Sequence, residues 1–248
     1  MKASIPPPSL KNLVFVHGFM GGSSQWAQQK KDFADDYRVI LLDLPGYGKR
    51  SHIKPLNSIE AYADWALQEL TRQHIDEFYL LGHSMGGMIV QAMVNAAPQR
   101  IKRLIIYASA ASGNLPNRFE AFSVSKQRAM DAGAKANAKR IAATWFKDGE
   151  QDAAYPLCAE LAQQTPLSSQ LAGLDAMQVW DNDKNLPSIP CPTLVIWGDC
   201  DRTYGWSSIE TLWQRIPNCH LAVVPQAAHA LHLENPTIFA QLIKQFLL

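Results

Sequence analysis

The sequence predicts an α/β fold built on a mostly parallel, doubly wound sheet. Short β-branched or aliphatic runs alternate with longer helical patterns along most of its 248 residues. The runs are nearly continuous in apolar residues, as strands covered on both faces must be. Composition agrees: at 47% hydrophobic and 18% charged, the chain has ample material for a core.

The elements follow in order. Asn12–His17 is the first strand, Ser24–Asp36 a helix, Arg38–Asp43 the second strand and Ser58–Gln73 a helix. Asn57, with Glu60 three residues on, has the form of a capping box at the start of that second helix. Glu77–Gly82 is the third strand, Met85–Ala97 a helix and Arg103–Ala108 the fourth strand. The rhythm then breaks. Between Ala110 and about Pro187 no strand is legible, and Phe119–Ala132, Ala134–Phe146, Ala153–Gln164 and Leu167–Val179 pattern as four short helices. Thr193–Gly198, Ser207–Ile216, His220–Val224 and Pro236–Leu247 restore the alternation. The sequence therefore divides into a core of residues 1–109 and 188–248 and a helical insertion at 110–187. Such an insertion cannot lie inside the sheet and is expected to form a mobile lid over the carboxyl ends of the strands, where open α/β sheets hold their sites.

Charge narrows the function classes. The net charge is +1 and no long basic or acidic block occurs, so neither nucleic acid nor an anionic membrane is an expected partner. No apolar run approaches the roughly 20 residues that span a bilayer. The N-terminus lacks the apolar stretch of a secretory signal, and Cys158, Cys191, Cys200 and Cys219 form no C-x-x-C pair. A cytoplasmic protein with free thiols and no metal is expected, as monomer or homodimer.

The most informative stretch is Gly82-His83-Ser84-Met85-Gly86, which sets a serine inside G-x-S-x-G between a strand and a helix. Chance alone yields such a pentapeptide in about one of a dozen chains this long. The strand-turn-helix context adds the physical meaning: a serine hydroxyl is a poor nucleophile unless a sharp turn holds it exposed beside a base. His17-Gly18-Phe19-Met20-Gly21-Gly22 follows the first strand, and its glycines let backbone amides turn inward. Phe19 N–H and Met85 N–H are the candidate oxyanion donors.

Seven histidines compete for the role of base. His17 and His83 lie within other elements of the site, His220 begins a strand, and His52 and His74 stand in polar surroundings. His229 and His232 both follow the last strand. His229 is preferred because it comes first in that loop, flanked by small alanines. Asp199 and Asp201 both follow the strand ending at Gly198, and spacing alone does not choose between them.

Taken together, His17-Gly18-Phe19, Asp43-Leu44-Pro45-Gly46-Tyr47-Gly48, Gly82-His83-Ser84-Met85-Gly86-Gly87, Gly198-x-x-Asp201 and His229-x-x-x-x-Glu234-x-Pro236 resemble the α/β-hydrolase fold family. Within it the chain is most similar to carboxylesterases and 3-oxoadipate enol-lactonase-like enzymes with helical lids. The lid stretch from Arg140 to Phe146 shares that likeness. The resemblance implies a Ser84, Asp201, His229 triad, since the family's acid stands three residues after the strand-end glycine. Only a short segment precedes His17, too short for the family's usual N-terminal hairpin, so six or seven strands are expected. Met88 and His83 also depart from the residues typical of a menaquinone-pathway relative and of C–C hydrolases.

The expected activity is cofactor-free hydrolysis of a small-molecule carboxylic ester or lactone through an acyl-enzyme. Phe19, Met20, Trp145 and Trp180 are the candidate substrate-binding residues, within an apolar pocket that would also draw on Met130, Phe146 and Met177. Two alternatives remain. C–C bond hydrolysis or lyase chemistry could use the same triad, with a substrate carboxylate held by Arg118, Arg128 or Arg140. A ligand receptor with slow turnover could keep the fold.

Overall fold

The apolar runs pair as one sheet. The computed structural model describes residues 10–116 and 118–248. Its strands are β1 (Lys11–Val16), β2 (Tyr37–Leu42), β3 (Phe78–His83), β4 (Ile101–Tyr107), β5 (Thr193–Gly198) and β6 (Cys219–Val224). They form a six-stranded sheet in the order β2-β1-β3-β4-β5-β6, and every pairing is parallel. Six strands among the described residues meet the lower of the two expected numbers.

Because successive side chains of a strand point to opposite faces, each strand feeds two cores. Leu13 and Phe15 of β1 pack with Phe33, Phe239 and Ile243, on the face covered by α1 (Ala27–Phe33) and the C-terminal helix Pro236–Leu247. Val14 and Val16 turn the other way, toward α2 (Ile59–Arg72) and α3 (Met85–Ala96), whose Tyr62, Ala66, Ile89 and Val90 are buried. Truncating a side chain such as Phe15 to alanine would cost about 3–5 kcal/mol.

One boundary differs from the sequence reading. The N-cap of α2 is Ser58, whose hydroxyl accepts from Ala61 N–H at 3.1 Å. With Ser58 extended at the cap, Glu60 falls one position short of where a capping box needs it, and Asn57 lies outside the helix.

The chain moves from β1 out to β2, then returns past β1 to β3. That reversal opens a crevice at the carboxyl ends of β1 and β3, the switch point where open α/β sheets bind ligands. Between β4 and β5 the chain makes α4 (Phe122–Ala132), α5 (Ala134–Ala143), α6 (Tyr155–Gln163) and α7 (Leu167–Val179). The ends of this excursion are tied together. Ser112 bridges Asp181, Gly113 N–H donates to Trp180 O, and Asn182 N–H donates to Ala111 O, both at 2.8 Å. The neck thus closes at 111–113 and 180–182.

After β5 come α8 (Trp206–Arg215), then β6, the short α9 (Leu231–Glu234) and α10 (Pro236–Leu247). Among the described residues no helix is long and apolar enough to cross a membrane. None of their His, Cys, Asp and Glu side chains cluster in threes that could hold a metal ion.

Candidate active site

Ser84 stands between β3 and α3 with φ 57° and ψ −121°, a conformation disfavoured for a residue with a side chain. Holding it costs about 1–3 kcal/mol, which the surroundings must supply. They do so by close backbone approach. A Cβ on Gly82 would lie 2.2 Å from Gly86 O, and one on Gly86 would lie 2.4 Å from Val16 O. Only glycine lets the turn close this tightly against β1. Ser84 N–H donates to Tyr107 O at 2.9 Å, and Ser84 O accepts from Ser109 Oγ at 2.7 Å. The elbow is therefore locked to β4 on both sides of the serine.

Two amides point nowhere else. Met85 N–H opens α3, and Phe19 N–H sits in the loop after β1. Neither hydrogen-bonds to any described residue. His17, behind that loop, is wholly buried and pins it, with Nδ1 to Gly18 O at 2.8 Å and Nε2 accepting from Leu44 N–H at 3.1 Å. Burial holds its pKa below the usual imidazole value, in keeping with the neutral ring this pattern needs.

His229 follows β6 and is 2% exposed. Its Nδ1 lies 2.9 Å from Asp201 Oδ2, so Nδ1 carries the proton and Nε2 is left as an acceptor. The backbone around it is gripped from several directions. His229 O accepts from Tyr107 Oη at 2.7 Å and lies 3.0 Å from His83 Nε2. Glu234 accepts from Ala228 N–H at 2.6 Å and from Lys147 N–H at 2.7 Å, and Ala230 N–H donates to Trp145 O. The loop is thereby stitched to the helical excursion.

The two aspartates separate by their partners. Asp199 Oδ1 accepts from Gln226 N–H at 2.7 Å, which ties the β5 loop to the β6 loop. Asp201 Oδ1 accepts from Thr203 N–H at 2.7 Å and Tyr204 N–H at 3.3 Å, which leaves Oδ2 for His229. His232, the rival histidine, has both ring nitrogens engaged, with Tyr107 Oη at 3.2 Å and Gln25 Nε2 at 3.3 Å. Burial, reinforced by His229 nearby, pushes its pKa down to about 3. His83 is likewise driven well below the ordinary value, by burial first and the neighbouring histidines second.

Ser84 and His229 line one cavity, with Phe19 from the β1 loop and Trp145, Ile141, Cys158 and Met177 from the excursion. Burial pushes the Cys158 thiol up to about 12, so it presents an inert wall. Two expected substrate contacts fall elsewhere. Met20, fully buried, packs into the main core at a positive φ of 55°. Trp180 borders a separate groove beside Glu60, Asn95 and Asn182, because it sits at the neck of the excursion. Phe146 is buried and Met130 half exposed, and neither lines the cavity.

Tyr204 also lines the cavity and was not legible from the sequence. Burial pushes its phenol up to about 12, with the nearby Ser84 hydroxyl opposing that shift. Its ring lies 5.7 Å from that of His229. The only sequence signal was its place three residues after Asp201, in the loop which that carboxylate folds. The cavity can hold a carbonyl against Ser84 with an imidazole and a phenol beside it.

A family model described as the alpha/beta hydrolase fold matches residues 11–236. A Stutzerimonas stutzeri protein bearing the name carbamate hydrolase RutD is 26% identical, over 95% of this chain and 91% of that one. The pimeloyl-[acyl-carrier protein] methyl ester esterase of Aeromonas hydrophila is 27% identical, over 95% of this chain and 94% of that one. Among solved structures, the enol-lactonase from Burkholderia xenovorans superposes with a TM-score of 0.87 at 22% identity, over 96% of this chain and 91% of that one. At that identity the likeness speaks for the fold.

Proposed function

Since the chain belongs to the alpha/beta hydrolase fold family, we propose that it is a serine hydrolase cleaving a carboxylic ester or lactone. One observation carries the reading: a serine on a strained elbow shares a cavity with an imidazole whose far nitrogen is bound to a buried carboxylate. The esterase name of a relative aligned along nearly the full length supports the ester as substrate class.

His229 Nε2 takes the proton from Ser84 Oγ as the oxygen attacks the carbonyl carbon. Asp201 holds the ring tautomer and stabilises the imidazolium. The developing oxyanion receives hydrogen bonds from Phe19 N–H and Met85 N–H. Collapse expels the alcohol, protonated by His229, or, in a lactone, opens the ring. Water, deprotonated by the same imidazole, then releases the acid from Ser84. The helices α4–α7 act as the lid that selects the substrate and excludes bulk water.

Steady-state hydrolysis of p-nitrophenyl esters and of simple lactones tests this reading. Activity should fall on the order of 10⁴-fold or more in Ser84→Ala. Retained turnover in that variant would overturn it.

A further inference from the structure

The lid side of the cavity is apolar except at one point. Leu115, Phe119, Phe122, Ile141, Trp145 and Met177 form its wall, and Arg118 interrupts them. The guanidinium is held in place rather than left to solvent. Its carbon lies 4.6 Å from the centres of both the Phe119 and Phe122 rings, a cation–π contact with each. Nη1 donates to Glu120 O and, at 2.9 Å, to Ser125 Oγ. Nε and Nη2 have no hydrogen-bond partner among the described residues.

The nearest carboxylate is committed elsewhere. Glu120 accepts from Arg140 at 2.8 Å and pairs with Arg128 at 3.3 Å, so two of the three arginines considered from the sequence share one acid. Arg118 forms no ion pair with any described residue. Arg118 is partly buried, and a guanidinium set in an apolar wall with little water around it favours an anion that answers its charge. Planar and forked, it is shaped to take a carboxylate in two parallel hydrogen bonds. Its place in the cavity of Ser84 means that the anion arrives with the substrate.

We propose that Arg118 is an anion subsite, and that the preferred substrates are esters or lactones bearing a carboxylate, such as half-esters of short dicarboxylic acids. The inference rests on the reading of Ser84 as nucleophile and deepens it by naming the substrate class. Arg118 binds the free carboxylate, and the ester carbonyl of the same molecule is presented to Ser84. Both line the same cavity, whose remaining lid-side wall is apolar and suits a methylene spacer. The product is then a dicarboxylate, whose second charge is created at the oxyanion donors.

The test compares monomethyl glutarate with methyl butyrate as substrates for the intact chain. The ratio of kcat/KM for the half-ester to that for the neutral ester should fall roughly 10- to 100-fold in Arg118→Gln, mainly through KM, with partial recovery in Arg118→Lys. An unchanged ratio would overturn the subsite, whatever happens to the absolute rates. Calorimetry separates this from a failure of the nucleophile reading. Monomethyl glutarate should bind Ser84→Ala, which cannot turn it over, and should bind Ser84→Ala/Arg118→Gln roughly 10-fold or more weakly. Equal binding to the two would refute the anion subsite without touching Ser84. Turnover by Ser84→Ala, with the binding difference intact, would refute the nucleophile and leave the subsite standing.

Discussion

Acidification should destabilise the fold through His232, and the size of the effect follows from its surroundings. Tyr107 Oη and Gln25 Nε2 occupy its two ring nitrogens, and burial holds its pKa near 3. In the unfolded chain the same ring titrates near 6.5. A folded pKa below the unfolded one means that the unfolded chain takes up the proton first. The stabilising contribution is fully present above about pH 6.5 and is lost as pH falls from there toward 3. Between pH 7.5 and 5.5 the unfolded ring goes from mostly neutral to mostly protonated while the folded one stays neutral. The linkage term for that interval is about 1.4 kcal/mol, a tenfold change in the unfolding constant. Urea denaturation at the two pH values measures it. In His232→Gln the loss between pH 7.5 and 5.5 should be smaller than in the unaltered protein by about this amount, whatever the variant's absolute stability. An identical pH dependence in the two proteins would show that His232 does not stay neutral in the folded state, and would refute the reasoning.

Further outcomes are expected. Asp201→Asn should lower kcat on the order of 10⁴-fold, because the amide presents the wrong partner to His229 Nδ1. Asp199→Asn keeps an oxygen for Gln226 N–H and should stay within about tenfold of full activity, so comparable losses in steady-state assays of both would count against the assignment. Trp145→Ala should shift relative kcat/KM among esters of different length. Trp180→Ala, outside the cavity, should lower stability in a thermal melt by about 3–5 kcal/mol without altering that preference.

Sheet and site differ in how far the sequence discloses them. All six strands stand within a few residues of their expected places; for the inner four this is because a strand buried on both faces writes itself as a continuous apolar run, while the edge strands β2 and β6 are only partly buried. Ser84 and the glycine-rich loop after β1 carry equally local signals, since a tight turn demands glycines at fixed offsets. His229 stands in the expected loop, but the choice of aspartate needed family spacing. Asp199 and Asp201 are alike in sequence and differ only in which amides their oxygens meet.

The cavity wall was the least legible part. Met20 and Trp180 are apolar residues near the right elements, yet a turn at positive φ sends one into the core and the neck of the excursion claims the other. Tyr204 carries no signal beyond its spacing from Asp201, because a lone tyrosine acquires meaning only when folding brings it to the cavity of a serine distant in sequence. Arg118 differs from Arg128 and Arg140 in that Glu120 forms ion pairs with those two and not with it. Pairing of long side chains within a helical excursion is a tertiary fact, invisible to periodicity.

The central claim is that Ser84 is the reacting nucleophile, and covalent labelling tests it most directly. A fluorophosphonate should modify the intact protein once, with esterase activity lost in proportion to label, and peptide mapping should place the adduct on Ser84. Label on another residue, or full activity in protein whose Ser84 is modified, would contradict the account.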